Sequence, residues 1–191
     1  GSIQCCRVKR NMTNFEIIST LLHQHIERLS LSADTIADVC NTAATQIANA
    51  IASEQKVFSA GTGIDGSAAL CFRQLIREGI WLERPTLPII DLTAINTINT
   101  DSGAAWITQE LNSLGQPNDV AVIWGSQLSP ANVEMINAAT DQRRMHVIWI
   151  GTQGPTVSLS FDDADAQVRA SLSYITALAM ARIVESHLFS T

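Results

Sequence analysis

A glycine-rich turn contains the residues of this sequence that are best suited to binding a ligand. Gly61, Thr62 and Gly63 follow a short apolar segment, and Asp65 and Ser67 come shortly after them. Glycines allow a backbone to approach a ligand closely, and the exposed amides at the start of a helix attract anions. Because Thr62 and Ser67 add hydroxyl donors, the pattern predicts an anion-binding turn. A strand-to-helix connection that binds no ligand is the alternative.

The same turn also matches the GxGxxG pattern of dinucleotide-binding proteins. Gly61, Gly63 and Gly66 occupy the three glycine positions, and Asp91 ends the next predicted strand, where a ribose-binding carboxylate would lie. Asp65 would repel a pyrophosphate, however, and a long helical segment precedes a strand that normally lies near the start of such a domain. Dinucleotide binding is therefore the less favoured interpretation.

A second polar turn contains Ser126 and Ser129 and again follows an apolar segment. Ser129 followed by Pro130 predicts the start of a helix, with serine as the N-cap and proline at the first helical position. Ligands of parallel α/β sheets bind at the carboxyl ends of the strands. We therefore expect the two turns to lie at one edge of the sheet and to form a phosphate pocket. A capped helix without a ligand is the alternative for this segment alone.

Hydrophobic periodicity predicts the elements that position these turns. Two amphipathic helices are predicted over 15–29 and 33–53, separated by Ser30 and Ser32. Strands are then predicted at 57–60, 87–92, 119–124, 145–150 and 156–161, and helices at 67–77, 102–114, from Ser129 and Pro130 onward, and at 165–187. This alternation predicts an α/β three-layer sandwich with a five-stranded, mostly parallel sheet. Residues 151–155 are too few for a parallel crossover, so we expect the last strand to be displaced or not parallel to its neighbour.

Length and composition exclude several classes of protein. A chain of 191 residues fits one domain, which we place at 15–191 after a disordered extension at 1–14. A net charge of -6 argues against direct nucleic-acid binding, and no apolar stretch is long enough to span a membrane. The four cysteines have no disulfide or metal spacing. They indicate reduced thiols in a cytoplasmic protein.

Taken in order, these segments resemble the sugar isomerase (SIS) family, specifically its phosphoheptose isomerase branch and the DiaA-like members, which bind the replication initiator DnaA. The resemblance rests on the turn at 60–63, the Glu-Arg-Pro-Thr-Leu-Pro stretch at 83–88, the segment 129–133, and the terminal pair Leu188 and Phe189. It implies a flavodoxin-like SIS fold and a homotetramer. It also implies a phosphosugar site formed by Gly61, Thr62, Gly63, Asp65, Ser67, Ser126 and Ser129.

The sequence departs from the family at the catalytic positions that the resemblance identifies. Cys71 stands where the family has a histidine, and Leu75 stands where it has the catalytic glutamate. No histidine occurs between His146 and His187, so the family's second catalytic group is missing from the last helix. The resemblance therefore implies a chain without catalytic residues, bound metal or cofactor.

These departures favour a binding protein over an enzyme. The main expectation is a DiaA-like, non-catalytic protein that binds DnaA through Leu188 and Phe189, two apolar side chains at the chain terminus. Exposure of this pair would favour such binding, and packing of the pair onto the core is the alternative. The alternative is a phosphoheptose isomerase acting on sedoheptulose 7-phosphate, or a divergent aldose–ketose isomerase. Turnover by the purified protein distinguishes the two functions.

Overall fold

The computed structural model of this chain describes residues 12–93 and 99–189. Most of the predicted N-terminal extension, residues 1–11, lies outside the described residues. In the described ranges the chain forms five helices and five strands: α1 Asn14–Ala52, β1 Val57–Gly61, α2 Gly63–Glu78, β2 Ile90–Asp91, α3 Thr100–Leu114, β3 Val120–Trp124, α4 Pro130–Gln142, β4 His146–Gly151, β5 Val157–Ser160 and α5 Ala166–Leu188. Among these helices, none combines the length and the apolar character that crossing a membrane requires.

The first helix replaces the two that the sequence predicted. α1 runs unbroken for 39 residues and begins with a capping box, in which Thr13 accepts from the Glu16 amide and the Glu16 side chain accepts from the Thr13 amide. Ser30 and Ser32 continue the helix because serine costs a helix interior far less than glycine or proline does. The prediction of a break between 29 and 33 was wrong.

The sheet has the order β2-β1-β3-β4-β5, and every pair of neighbouring strands is parallel. Side chains of α1, α2 and α5 join the buried cluster on one face, and those of α3 and α4 join the cluster on the other. The predicted three-layer α/β class is confirmed.

The last strand is parallel to β4 although no helix connects the two. Ile148 pairs with Val157 and Gly151 pairs with Ser160. After the end of β4 the chain therefore has to return only to the level of Ile148 before β5 begins. The short segment between the strands can cover that distance in extended form. The predicted displacement or reversal of this strand was therefore wrong.

A buried ion pair joins the end of α2 to α5. Arg84 Nε donates to Glu185 Oε1 at 2.7 Å, and the two side chains are 3% and 1% exposed. Arg84 Nη2 also donates to the carbonyl oxygens of Leu75 and Ile76 at 3.0 and 2.9 Å. The arginine therefore gives Ile76 a donor that the end of the helix does not supply, and it adds a second donor to the Leu75 carbonyl, which also accepts from the Gly79 amide at 2.9 Å.

Candidate functional site

The two polar turns meet at the carboxyl edge of the sheet, as the sequence predicted. Gly61 is the last residue of β1 and pairs with Trp124, the last residue of β3. Each strand then leads through a short turn into a helix, α2 after β1 and α4 after β3. The ends of two neighbouring parallel strands therefore bring Thr62 and Asp65 to the same place as Ser126 and Gln127.

Asp65 is the centre of the hydrogen bonds that join these turns. Ser126 Oγ donates to Asp65 Oδ1 at 2.7 Å, and the Gln127 amide donates to Asp65 Oδ2 at 3.2 Å. Arg169, in the first turn of α5, donates from Nη1 to the Ser126 carbonyl oxygen at 3.3 Å. We call this group of donors, the Ser126 hydroxyl, the Gln127 amide and the Arg169 guanidinium, the anion cradle.

The Asp65 carboxyl is buried, with 2% of its surface exposed. Burial raises its pKa above the ordinary value, because water no longer stabilises the charged form. The hydrogen bonds from Ser126 and Gln127 and the positive charge of Arg169 oppose that rise. The donors of the cradle thus offset part of the free-energy cost of burying the Asp65 carboxylate away from water.

Local geometry requires glycine at both Gly61 and Gly63 in the first turn. A Cβ added to Gly61 would lie 2.7 Å from the Asp65 carbonyl oxygen, so any larger residue would push the start of α2 away. Gly63 has a φ of +58°, in the left-handed region that favours glycine, and its added Cβ would lie 3.3 Å from Gln127 Oε1. Packing at Gly61 and backbone conformation at Gly63 therefore account for the two glycines, whether or not a ligand binds.

Thr62 is the N-cap residue of α2, yet its side chain makes no capping hydrogen bond. Its Oγ1 is buried, and it has no hydrogen-bond partner among the residues that the structure describes. The same holds for Arg169 Nε. Buried polar atoms are normally paired, so the two atoms are available to a ligand or a bound water molecule.

The other predicted site residues lie further from the cradle. Ser67 is exposed on α2. Ser129 caps α4, as the sequence predicted, by accepting from the Asn132 amide at 3.2 Å. The Asn132 side chain in turn donates to Asp101 Oδ1 at 2.7 Å, which links the N-termini of α3 and α4. Asp101 is exposed at the carboxyl edge of the sheet.

The remaining residues that the sequence singled out make contacts within the chain. Asp91, the candidate ribose ligand, accepts from the Thr93 amide at 2.9 Å. Leu75 belongs to the buried core, and Cys71 packs against it with its thiol pKa raised by burial. Within residues 12–93 and 99–189, no three His, Cys, Asp or Glu side chains are grouped to hold a metal ion.

The predicted partner-binding pair is not freely exposed. Leu188 and Phe189 are half-buried and pack against the core cluster that α1, α2 and α5 share. The Arg84 guanidinium lies over the Phe189 ring, 5.6 Å from its centroid. Both side chains therefore contribute contacts within this chain.

Sequence reasoning missed Arg169 and Gln127. Arg169 lies far along the chain from both turns, and nothing in its neighbours distinguishes it from an ordinary exposed arginine at the start of a helix. Gln127 acts through its backbone amide, which any residue type would provide. The nearby cavity of about 520 Å³ is lined by Leu128, Pro130 and other residues of α4 and the 152–155 segment, and Asp65 does not line it.

Comparison with known proteins gives relatives that share nearly the whole chain. No family model matches. The phosphoheptose isomerase of Methylococcus capsulatus is 27% identical over 186 residues, which cover 94% of this chain and 93% of that protein. The phosphoheptose isomerase of Alkalilimnicola ehrlichii is 26% identical over 174 residues, covering 88% of this chain and 86% of that protein.

Two solved structures share the fold. A phosphoheptose isomerase from Francisella tularensis superposes with a TM-score of 0.79 at 18% identity, covering 92% of this chain and all of that one. Phosphoheptose isomerase GmhA from Neisseria gonorrhoeae superposes with a TM-score of 0.70 at 19% identity, covering 91% of this chain and 100% of its own.

These comparisons contradict the expectation of a DiaA-like, non-catalytic protein that binds DnaA. The relatives and structures named above are all phosphoheptose isomerases, so they favour the alternative that the sequence left open. The chain is therefore similar to phosphoheptose isomerases in sequence over nearly its full length and in fold, and the DiaA-like branch is not confirmed.

Proposed function

We propose that this chain is a divergent aldose–ketose isomerase acting on a phosphorylated sugar, with sedoheptulose 7-phosphate as the first substrate to test. The observation that carries this proposal is the similarity to a phosphoheptose isomerase along 94% of the chain. The position of the two polar turns at the carboxyl edge of a parallel sheet agrees with it, because ligands of such sheets bind there.

The phosphate of the substrate is assigned to the turns that the sequence singled out. Gly61, Thr62, Gly63, Asp65, Ser67, Ser126 and Ser129 form or flank this edge, and Arg169 adds a positive charge to it. The N-termini of α2 and α4 both point their amides toward the edge, which favours an anion. Thr62 Oγ1 supplies a buried hydroxyl that has no partner within the described chain.

The reaction needs a group that moves a proton between two adjacent carbons. A carboxylate takes the proton from the carbon that bears the hydroxyl and returns it to the former carbonyl carbon, while the hydroxyl proton passes to the carbonyl oxygen. Leu75 has no titratable group, and burial raises the pKa of the Cys71 thiol, which keeps it protonated and unable to accept a proton. The family's catalytic positions therefore do not serve this chain.

We assign proton transfer to Asp101. Asp65 has both carboxylate oxygens engaged by Ser126 and Gln127 and is buried, so it does not reach a sugar carbon as it stands. Asp101 is exposed at the same edge, and the Asn132 amide group holds its Oδ1 at 2.7 Å. A substrate with its phosphate at the cradle extends past Ser129 and Asn132 toward this carboxylate.

The apolar face of α1 supports assembly into the homotetramer that the sequence analysis expected. Large apolar side chains recur at helical spacing along its N-terminal half and are more than half exposed: Phe15, Ile18, Leu22 and Ile26. A monomer would leave this stripe in contact with water, which is costly for a contiguous patch. Copies of this chain packed against one another would cover it.

The test is turnover of sedoheptulose 7-phosphate by the purified protein, together with a panel of other sugar phosphates. We expect Asp101→Asn to lower kcat by about 10² to 10⁴ with little change in thermal stability. Asp34→Asn is the matched control, because Asp34 is exposed on α1 and lies outside the site. Failure of the wild-type protein to interconvert any aldose–ketose phosphate pair would refute the proposed function. Full activity of Asp101→Asn would refute the assigned residue.

A further inference from the structure

The donors that an anionic ligand needs at this edge are already occupied by the chain itself. The Ser126 hydroxyl and the Gln127 amide both donate to Asp65, one to each carboxylate oxygen. Arg169 holds the Ser126 carbonyl and is the charged group that faces Asp65 from α5. The Asp65 carboxylate, with two donors and a guanidinium nearby, therefore occupies the position that a bound anion would take.

The cradle and the neighbouring Thr62 also contain hydrogen-bond donors that Asp65 does not use. Thr62 Oγ1, three residues before Asp65, and Arg169 Nε are both buried, and neither has a partner within the described residues. A phosphoryl group has more acceptor oxygens than a carboxylate and a larger charge, so it can use donors that Asp65 leaves unsatisfied. It cannot, however, share the cradle with a second anion, because like charges placed together in a poorly hydrated site repel strongly.

We propose that Asp65 sets the ligand specificity of this site as its internal ligand, so that a phosphoryl group binds at Ser126, Gln127 and Arg169 only by displacing the Asp65 carboxylate. Asp65 lies in the first turn of α2, at the edge of the sheet, so a change of its side-chain rotamer would free both donors. Neutral sugars gain nothing from the displacement. The site therefore discriminates by charge and admits phosphorylated ligands at the cost of weaker affinity than an empty cradle would give.

This inference rests on the proposed function for the class of ligand, and its test is a binding measurement that needs no turnover. Inorganic phosphate and sedoheptulose 7-phosphate are titrated calorimetrically, at neutral pH and low ionic strength, into the wild-type protein and its variants. We expect Asp65→Ser to bind both ligands about tenfold more tightly or better, because the competing charge is gone while the donors stay. Asp34→Ser, the exposed control, should bind as the wild type does.

A second substitution tests whether Arg169 is the group for which Asp65 and the anion compete. Adding Arg169→Met to Asp65→Ser should abolish the gain, because the guanidinium is the cradle's positive charge. Asp65→Asn is close to isosteric and keeps the measurement decisive if Asp65→Ser fails to fold. Equal or weaker phosphate binding by folded Asp65→Ser and Asp65→Asn overturns the proposal, as does a gain that survives Arg169→Met.

The two proposals fail in different ways. Tighter phosphate binding by Asp65→Ser together with no turnover by the wild type would support the internal ligand and refute the isomerase. Turnover by the wild type without any gain in Asp65→Ser would support the isomerase and refute the internal ligand.

Discussion

Replacing Arg84 by methionine should lower the free energy of unfolding by about 3–5 kcal/mol, the cost of leaving a buried charge without its closest partner. Arg84 and Glu185 are 3% and 1% exposed, and their 2.7 Å contact is well shielded from water. Methionine keeps much of the length and apolar surface of arginine, so the change removes charge more than volume. Arg182 also contacts Glu185, at 3.3 Å, but it is 52% exposed and offsets only part of the loss. The Ile76 carbonyl oxygen also loses its donor, at about 1 kcal/mol within that total, whereas the Leu75 carbonyl keeps the Gly79 amide.

Urea unfolding followed by circular dichroism measures this loss, and a protein of this size should also melt about 6–20 °C lower. Arg182→Met is the matched control and should cost less than about 1 kcal/mol, as exposed ion pairs usually do. Adding Glu185→Gln to Arg84→Met removes the stranded charge and should recover part of the stability. The reasoning is refuted if Arg84→Met costs no more than Arg182→Met, or if the double variant is no more stable than Arg84→Met alone.

Four further predictions follow from the described residues. Leu188→Ala with Phe189→Ala should cost about 2–4 kcal/mol in urea unfolding, roughly half the value for fully buried side chains; a cost below about 1 kcal/mol would show that the pair is not packed. Because the pKa of Asp65 is raised, the stability of the wild type relative to Asp65→Asn should be greatest at acidic pH and fall as pH rises through that pKa; a difference that does not vary with pH contradicts this. Burial raises the pKa of Cys40 to about 12, so a maleimide should modify it only in unfolded protein, and labelling at Cys40 itself in native protein, located by peptide mass mapping, would oppose this. Light scattering should give a tetramer mass that Ile18→Glu lowers, and a monomer mass at micromolar concentration would contradict assembly.

Elements set by continuous apolar runs and by caps were predictable from the sequence. β3, Val120–Trp124, is a run of five buried residues bounded by polar turns, and its prediction was correct to within one residue. Ser129 followed by Pro130 correctly marked the start of α4. Local chemistry decides both features, because burial on two faces requires an apolar run and helix caps use few residue types.

Elements decided by their neighbours were less predictable. The second strand was expected over 87–92, yet β2 pairs only through Ile90 and Asp91. Pro85 and Pro88 precede it, and proline has no amide hydrogen to give to a sheet. β5 can be parallel to β4 because it pairs with only the last residues of β4, from Ile148 to Gly151, so the connection has a short distance to cover. The length of residues 151–155 alone does not reveal where along β4 the pairing begins.

The candidate site was predictable in position but not in its contacts. The glycine pattern located the turn, and parallel topology brought the second turn beside it. The partners of Asp65 were beyond sequence reasoning, because Ser126 and Arg169 come close to it only when β1, β3 and α5 are assembled. A carboxylate in an anion-binding turn looks like a defect in the sequence, whereas in the structure two hydrogen bonds and Arg169 compensate part of its charge.

The two carboxylates at this edge, Asp65 and Asp101, differ in burial and therefore in the contacts that they can make with a ligand. Asp65 has little access to water and two hydrogen-bond donors, so it is held in place and its charge is what a competing ligand must overcome. Asp101 is exposed and Asn132 positions one of its oxygens, so its carboxyl group is accessible to a bound molecule. Leu75, the position for which the sequence resemblance implies a catalytic glutamate, lies ten residues beyond Asp65 on α2, a rise of about 15 Å along the helix axis. The proposed isomerase would therefore need the sugar to lie across the start of α4, with its reacting carbons beside α3 and away from the middle of α2.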